Sequence, residues 1–423
     1  MTGILLRLMH ARSSPVGVLA SVAVVCWALA GCRALPRLPR PGRTAFAACV
    51  WLALLGAAAL AAVDAGANLR WYRPWDFPSF YAVARAAVHG RAFYDPAVLA
   101  AVQGELTRTQ HVPAQWLQEV GYWYLPPSVF LIWPLGWFGY RTALLLHYLA
   151  QGAFLVAGMA LVHRARPLAP GPTGFAAALL AALLFLPVQS TIYFAQIVFG
   201  CLFCMVLAER WLARAPVAAG ASLAGGFFFK HLLLIPAALL VAGRERRGRT
   251  AGLAALAAIA LAVAASALVL HPAVLRAYLA NGPGARSPAL AVDPVVQSLM
   301  ALLYRALGVT PHGTLRQIVA FPPYLAATAA LTLASLALAW RSPAGAGRER
   351  FWLLASLAIL CYPNTLISTL ALLVPVVLGV YVTALERGWP IAPALGFVAA
   401  VYALAGLAPV QAGWTALLCW LAA

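Results

Sequence analysis

Residues 214–244 read RAPVAAGASLAGGFFFKHLLLIPAALLVAGR, and the two ends of this stretch decide the fold. The run from Pro216 to Ala242 is almost wholly apolar, yet Arg214 precedes it and Arg244, Arg246, Arg247 and Arg249 follow. Arginine clusters between apolar runs mark the cytoplasmic turns of membrane proteins. A single crossing cannot return to the side where it began. The stretch therefore predicts a hairpin, broken near Gly225-Gly226, with Lys230 and His231 close to its tip. Lys230 is the only lysine in the chain.

The remainder of the chain agrees with a membrane reading. Of 423 residues, 64% are hydrophobic and 9% charged, and apolar runs of about 20 residues recur, which defines an all-α polytopic helical membrane protein. The net charge of +19 does not point to nucleic acid. Its arginines fall in short clusters, at Arg33 to Arg43, Arg164 and Arg166, Arg244 to Arg249, and Arg341 to Arg350, as topology signals that also meet anionic membrane lipids. Apolar segments are expected at Val16 to Ala34, Thr44 to Ala65, Thr142 to His163, Gly174 to Thr191, Phe194 to Leu212, Gly252 to Leu270 and Pro322 to Trp340, with further ones to Leu421. Several, such as Pro127 to Phe138 and Phe351 to Tyr362, hold only about 12 residues, too few to span hydrocarbon of about 30 Å. Half-spanning or re-entrant helices are tolerated only around a protein-lined cavity. The cysteines lie almost wholly in apolar runs and read as packing residues, Cys201 and Cys204 included. The chain reads as one polytopic domain over residues 1–423.

Residues 68–126 form the long amphiphilic stretch, placed by the arginine pattern on the extracytoplasmic side. Short helices are expected at Ser79 to His89 and Pro96 to Leu106. Trp71, Tyr72, Trp75, Trp116, Tyr122, Trp123 and Tyr124 give it an aromatic belt that lies on the bilayer surface. Asp76 stands near its start, in a chain with 10 acidic residues. A carboxylate where a membrane protein meets water is costly unless paired or used. Pairing with Arg70 or Arg73 is one reading of Asp76, and catalysis the other.

Taken in order, Asp76-Phe77 with Tyr81, Gly90 and Tyr94, then Tyr124-Leu125-Pro126-Pro127, Gln196, Lys230, Gln297-Ser298-Leu299 and Pro363-Asn364 resemble the motifs of glycosyltransferase family 87, polyprenol-phosphate-dependent enzymes of the GT-C superfamily. Asp76-Phe77 followed by Tyr81, Gly90 and Tyr94, within DFPSFYAVARAAVHGRAFYD, resembles the family's first-loop block. Tyr124-Leu125-Pro126-Pro127, ending at Pro134-Leu135, is similar to its Tyr-Pro-Pro segment. Gln196 matches the Gln of a Gly-Gln pair, with Ala195 in place of Gly. Gly220 through Lys230 to Pro236 resembles a Gly-rich hairpin carrying a Lys, and Gln297-Ser298-Leu299 through Arg305 a later Gln-Ser-Leu block. Pro363-Asn364 to Pro375 resembles the closing block, with Ser368 roughly where the family often has His.

The resemblance implies transfer of a sugar, a mannose-like hexose or a pentose, from a polyprenyl-phosphate donor to a lipid or glycan acceptor outside the membrane. A bacterial inner membrane is the implied location, and inversion the implied outcome. A carboxylate can take the proton of an acceptor hydroxyl as the new bond forms, and Asp76 is the candidate base. The leaving lipid phosphate needs cationic stabilisation in a dry site, for which Lys230, His231 and Arg305 are candidates. Lys230 could instead snorkel to the interface and His231 pack. Tyr81, Tyr124, Gln196 and Gln297 are candidates for substrate binding, although the glutamines could join helices and Tyr124 anchor at the interface. Asp95, before Pro96, suits a helix cap. The histidines are scattered without paired spacing, so neither a metal nor a cofactor is expected. A polytopic transporter or lipid flippase is the alternative function. Transporters often carry internal repeats, and no convincing two-fold repeat is visible here.

Overall fold

The computed structural model describes residues 14–71, 76–110, 124–270, 272–281, 296–310, 318–342, 347–363, 365–407 and 414–422. Within them every element is helical, apart from an isolated antiparallel bridge between Val296 and Leu366. The helices in chain order are α1 (Pro15–Ala34), α2 (Arg40–Trp71), α3 (Phe77–Val88), α4 (Pro96–Gln110), α5 (Val129–Ile132), α6 (Tyr140–Ala165) and α7 (Pro172–Leu184). They continue with α8 (Leu186–Phe194), α9 (Val198–Leu212), α10 (Pro216–Phe229), α11 (Leu234–Ala242), α12 (Arg246–Val269) and α13 (Pro272–Asn281). The last are α14 (Leu299–Ala306), α15 (Pro322–Arg341), α16 (Gly347–Cys361), α17 (Val374–Glu386), α18 (Ile391–Leu407) and α19 (Trp414–Ala422).

Among the described residues six helical segments are long and apolar enough to cross a membrane: Pro15–Arg37, Arg40–Arg70, Tyr140–Ala165, Arg246–Val269, Pro322–Arg341 and Ile367–Glu386. The pair α7 and α8 adds a span bent by 67°. This is a multi-pass helical membrane protein. Its two ends differ chemically. At one end Arg166 pairs with Glu349, Arg348 with Glu209 and Arg350 with Glu245, tying together α6, α9, the α11–α12 turn and α16. The termini of α2, α8 and α10 gather at the opposite end, and the short helices α3 and α4 pack there.

The hairpin expected between Arg214 and Arg244 forms, but its break is displaced. Gly225 and Gly226 lie inside α10; the chain opens at Lys230, whose backbone is extended at φ −149° and ψ 118°, turns through a short 3-10 helix at His231–Leu233 and continues as α11 from Leu234. The glycines serve close packing instead. A Cβ on Gly226 would collide with Leu233 Cδ1 and stand 3.0 Å from Cys204 Cβ, and one on Gly220 would collide with the Ala251 carbonyl oxygen. Close approach of α10 to α9 and α12 thus needs small residues, as interfaces inside membranes commonly do. Pro236, in the first turn of α11, lacks an N–H where a helix leaves its N–H groups unbonded anyway.

Two further expectations shift. The segment Gly174 to Thr191 is not continuous: α7 ends at Phe185, whose backbone turns to φ −76° and ψ 118°, and α8 starts with Pro187 at its second position. The helix expected at Thr44 to Ala65 runs on as α2 to Trp71 and buries Asn68. Beyond it, α3, α4 and the turn through Pro126–Trp137 form their own apolar cluster with Phe77, Phe80, Tyr81, Phe93, Tyr94 and Tyr140. Of the predicted aromatic belt, Tyr72, Trp75, Trp116, Tyr122 and Trp123 lie outside the described residues, as does Arg73.

Candidate active site

Asp76 occupies the N-cap position of α3, where an aspartate commonly accepts from the first free N–H groups. Its side chain makes no such bond. Its Oδ2 instead accepts from Gln196 Nε2 at 2.5 Å, and its backbone N–H donates to the Phe194 carbonyl at 3.3 Å. Gln196 Oε1 in turn accepts from Lys230 Nζ at 3.1 Å. One amide therefore stands between the carboxylate and the chain's single lysine. Gln196 is 2% exposed and Lys230 8%, while Asp76 is half-buried at the rim.

Each of the three comes from a helix terminus. Asp76 opens α3. Gln196 follows α8, which ends at Ala195 in the left-handed conformation, φ 50° and ψ 49°, with Gln196 N–H donating to the Thr191 carbonyl at 3.0 Å. Such a terminus usually carries glycine, because a Cβ disfavours this conformation. The Gly-Gln pair of the resembled family has its physical reason here, and Ala195 meets the same geometry with strain. Lys230 sits at the break between α10 and α11.

Aromatic groups complete the setting. Lys230 Nζ lies 5.8 Å from the centroid of the Tyr124 ring, within cation–π range. The Tyr124 ring packs against Phe80 and His231, and its carbonyl accepts from the Tyr94 hydroxyl. Tyr94 packs on Tyr278, whose phenol burial pushes above its ordinary range, so it remains a neutral hydroxyl. His231 Nε2 accepts from the Leu125 N–H at 3.1 Å. That bond uses the ring's acceptor to hold the turn behind Tyr124.

Three other candidates, Tyr81, Gln297 and Arg305, are each tied to a backbone carbonyl. Tyr81 is fully buried, donates to the Phe138 carbonyl at 2.7 Å and packs its ring on Phe77 and Tyr140; it orients α3 beneath Asp76. Gln297 is fully buried, and its backbone N–H donates to the Thr365 carbonyl at 2.6 Å. Arg305 Nη1 donates to the Val296 carbonyl at 3.0 Å. These two bonds build the junction of Val296 with Leu366 rather than extend the chain of contacts from Lys230. Asp95 behaves as a cap, its Oδ1 accepting from the Ala97 N–H at 2.9 Å.

Sequence reasoning passed over the polar residues that hold the Gln196 turn. Gln151 Oε1 accepts from the N–H groups of Phe199 and Gly200 at 3.1 and 3.3 Å, capping α9. Tyr148 donates to the Ile192 carbonyl, and Asn68 Nδ2 to both the Tyr148 hydroxyl and the Tyr193 carbonyl, at 2.6 and 2.9 Å. The available signal was His147, Tyr148 and Gln151 clustered in an apolar run. Buried polar groups in hydrocarbon are costly and usually have a task.

A carboxylate, an amide and a cation are thus joined where broken membrane helices meet, with the Tyr124 ring beside the cation. The family follows from comparison. The model of glycosyltransferase family 87 matches residues 122–369, more than half of the chain, and the protein belongs to that family. It is a glycosyltransferase, with a sugar donor and an acceptor as substrates. The matched stretch contains Tyr124, Gln196, Lys230, His231, Gln297 and Arg305, and begins after Asp76. No curated protein and no solved structure matches the chain.

Proposed function

We propose that the enzyme moves a mannose-like hexose or a pentose from a polyprenyl phosphate to a hydroxyl of a lipid or glycan acceptor, in the manner of GT-C enzymes. In this reading the Asp76 end of the bundle faces the extracytoplasmic side of a bacterial inner membrane, since the arginine turns at the other end stay in the cytoplasm. The observation that carries it is the chain of contacts from Asp76 through Gln196 to Lys230. Asp76 takes the acceptor's hydroxyl proton while that oxygen bonds to the anomeric carbon. The bond from the same carbon to the phosphate oxygen breaks, and its electron pair leaves on the lipid phosphate. Lys230 offsets that charge in a site where contacts count for more than in water. One displacement inverts the anomeric centre. A direct pair of the two charges would neutralise both, whereas the Gln196 amide lets each act on its own partner. His231 and Tyr81 enter as groups that position the Tyr124 turn and α3.

Purified enzyme in lipid nanodiscs tests the donor. Incubated with membrane-lipid extract as acceptor, it should transfer sugar from a polyprenyl-phosphate sugar and leave the matching nucleotide sugar unused, with products followed by mass spectrometry. Transfer from the nucleotide sugar alone would overturn the reading. A cysteine replacing exposed His89 reports the side: an impermeant thiol reagent should label it in intact cells, and labelling only after lysis would reverse the topology.

A further inference from the structure

The end of the bundle opposite Asp76 holds a cavity of about 360 Å³, enclosed by the end of α6 and by α16, α17, α18 and α19. Small-molecule sites fall in the range of about 300–1,000 Å³. The wall on α17 follows from residue spacing. Val376, Val380, Thr383, Ala384 and Arg387 recur at the intervals of one helical face. This single stripe, about 16 Å long at a rise of about 1.5 Å per residue, runs from apolar residues to an arginine just past the helix end. Ala394 and Phe397 of α18 and Leu421 of α19 extend its apolar part.

Two guanidinium groups line the same cavity. The Arg166 side chain is 16% exposed, and its Nη2 donates to Glu349 Oε1 at 3.3 Å. No other hydrogen bond holds this guanidinium among the described residues, although the group carries five donors. It lies against the backbone of α17: a Cβ on Gly379 would stand 2.6 Å from Arg166 Nη1, so only glycine leaves room for the charge there. Arg387 is exposed and forms no ion pair among the described residues. Glu349 is the one acidic residue in the lining, which therefore carries an excess of positive charge. Beside Arg387 stands Trp389, 58% exposed, an aromatic of the kind that settles at the level of lipid headgroups.

A free anion would satisfy the arginines and leave the apolar stripe bare, and an uncharged chain would do the reverse. We propose that the cavity binds an anionic glycerophospholipid from the leaflet at the arginine-rich end of the bundle, its headgroup phosphate on Arg166 and Arg387 and an acyl chain along Val376, Val380 and Phe397. Basic pockets between membrane helices take up anionic headgroups through this chemistry. The site lies apart from Asp76, Gln196 and Lys230 and does not depend on their roles in transfer.

Native mass spectrometry of the purified enzyme in detergent, titrated with phosphatidylglycerol, phosphatidylcholine or inorganic phosphate, tests the site. One phosphatidylglycerol should stay bound and raise the melting temperature, and the other two should bind at least about 5-fold more weakly. Arg387→Gln should lower affinity for phosphatidylglycerol by about 5-fold, the share of one arginine near an anionic lipid. Arg214→Gln, at an exposed arginine of the same end outside the cavity, should leave it unchanged. Val380→Trp fills the space beside α17 and should abolish the tight binding; because Arg387 is exposed, its replacement still decides the matter should the tryptophan variant fail to fold. Equal affinity for phosphatidylcholine overturns the proposal. So does stabilisation by inorganic phosphate equal to that by phosphatidylglycerol, which would make the cavity an anion site, and so do equal losses in the Arg387 and Arg214 variants, which would reduce the effect to the diffuse charge of this end.

Discussion

Gln196 accepts a hydrogen bond from Lys230 at 3.1 Å, joining the left-handed end of α8 to the break between α10 and α11. Both residues are held by backbone geometry. Because its other end donates to Asp76, Gln196 sets the spacing between Asp76 and Lys230.

Replacing Asp76 by Asn keeps the size of the side chain and removes its basic oxygen. Turnover should fall by about two to four orders of magnitude, the usual contribution of a general base, with donor KM near wild type. Asp95→Asn, which removes only a cap bond to the Ala97 N–H, is the control and should change turnover little. An Asp76→Asn enzyme working at the wild-type rate in the same assay would take Asp76 out of the mechanism.

Lys230→Ala should raise the donor's dissociation constant and leave the elution profile and melting temperature intact. Lys230→Arg keeps charge while changing reach and fork geometry, so part of the affinity should return. Unchanged donor binding in the Ala variant, measured with a non-transferable polyprenyl phosphate, would make Lys230 a structural residue.

Gln196→Glu places a second carboxylate beside Asp76. A like charge disfavours ionisation, so the folded-state pKa of Asp76 rises. The base works only when deprotonated, and the acidic limb of the kcat/KM profile should therefore move to higher pH. Gln196→Leu removes the N–H that favours the charged carboxylate, so the limb should move the same way but by less. A Glu variant whose acidic limb stays in place would separate Gln196 from the base.

Gly220 and Gly225 form a matched pair for the hairpin. A Cβ at Gly220 would collide with the Ala251 carbonyl oxygen and stand 2.6 Å from Ala254 Cβ, whereas at Gly225 the nearest atom is Cys204 Sγ at 3.6 Å. Gly220→Ala should destabilise by about 1–3 kcal/mol, the usual cost of overpacking. Gly225→Ala should be close to neutral, and thermal unfolding in detergent compares the two.

Ala195 tests the turn itself. Ala195→Gly relieves a left-handed alanine, a conformation costing roughly 1–2 kcal/mol for residues with a Cβ, and should keep full turnover. Ala195→Val places a β-branched residue at φ 50°, where such residues are outliers. Turnover of the Val variant should drop well below that of the Gly variant, and equal rates would show that the turn tolerates any side chain.

Much of this protein is legible from residue order because hydrocarbon constrains a chain so strongly. Apolar length locates the spans, and arginines fix which turns share an end; that logic alone requires a hairpin between Arg214 and Arg244, and the structure has one. The position of its break was not legible that way. Gly225-Gly226 looked like the weak point, yet Gly226 serves close contacts with Leu233 and Cys204, which no local pattern reveals. The bend at Phe185 escaped notice for a similar reason, since an apolar run reads the same whether straight or broken.

The candidate site divides along the same line. Residue order by itself singled out Asp76 as a carboxylate where lipid meets water, Lys230 as the one lysine, and Gln196 within a motif, because unusual residues in an apolar background are visible locally. Tertiary structure alone decided that the three meet. It alone also recruited Asn68, Tyr148 and Gln151 to hold the turn. The hydrogen bonds that hold it join residues up to 125 positions apart and depend on where helices end and how closely their backbones approach. Those distances follow from packing across the whole bundle, which no single stretch of the chain encodes.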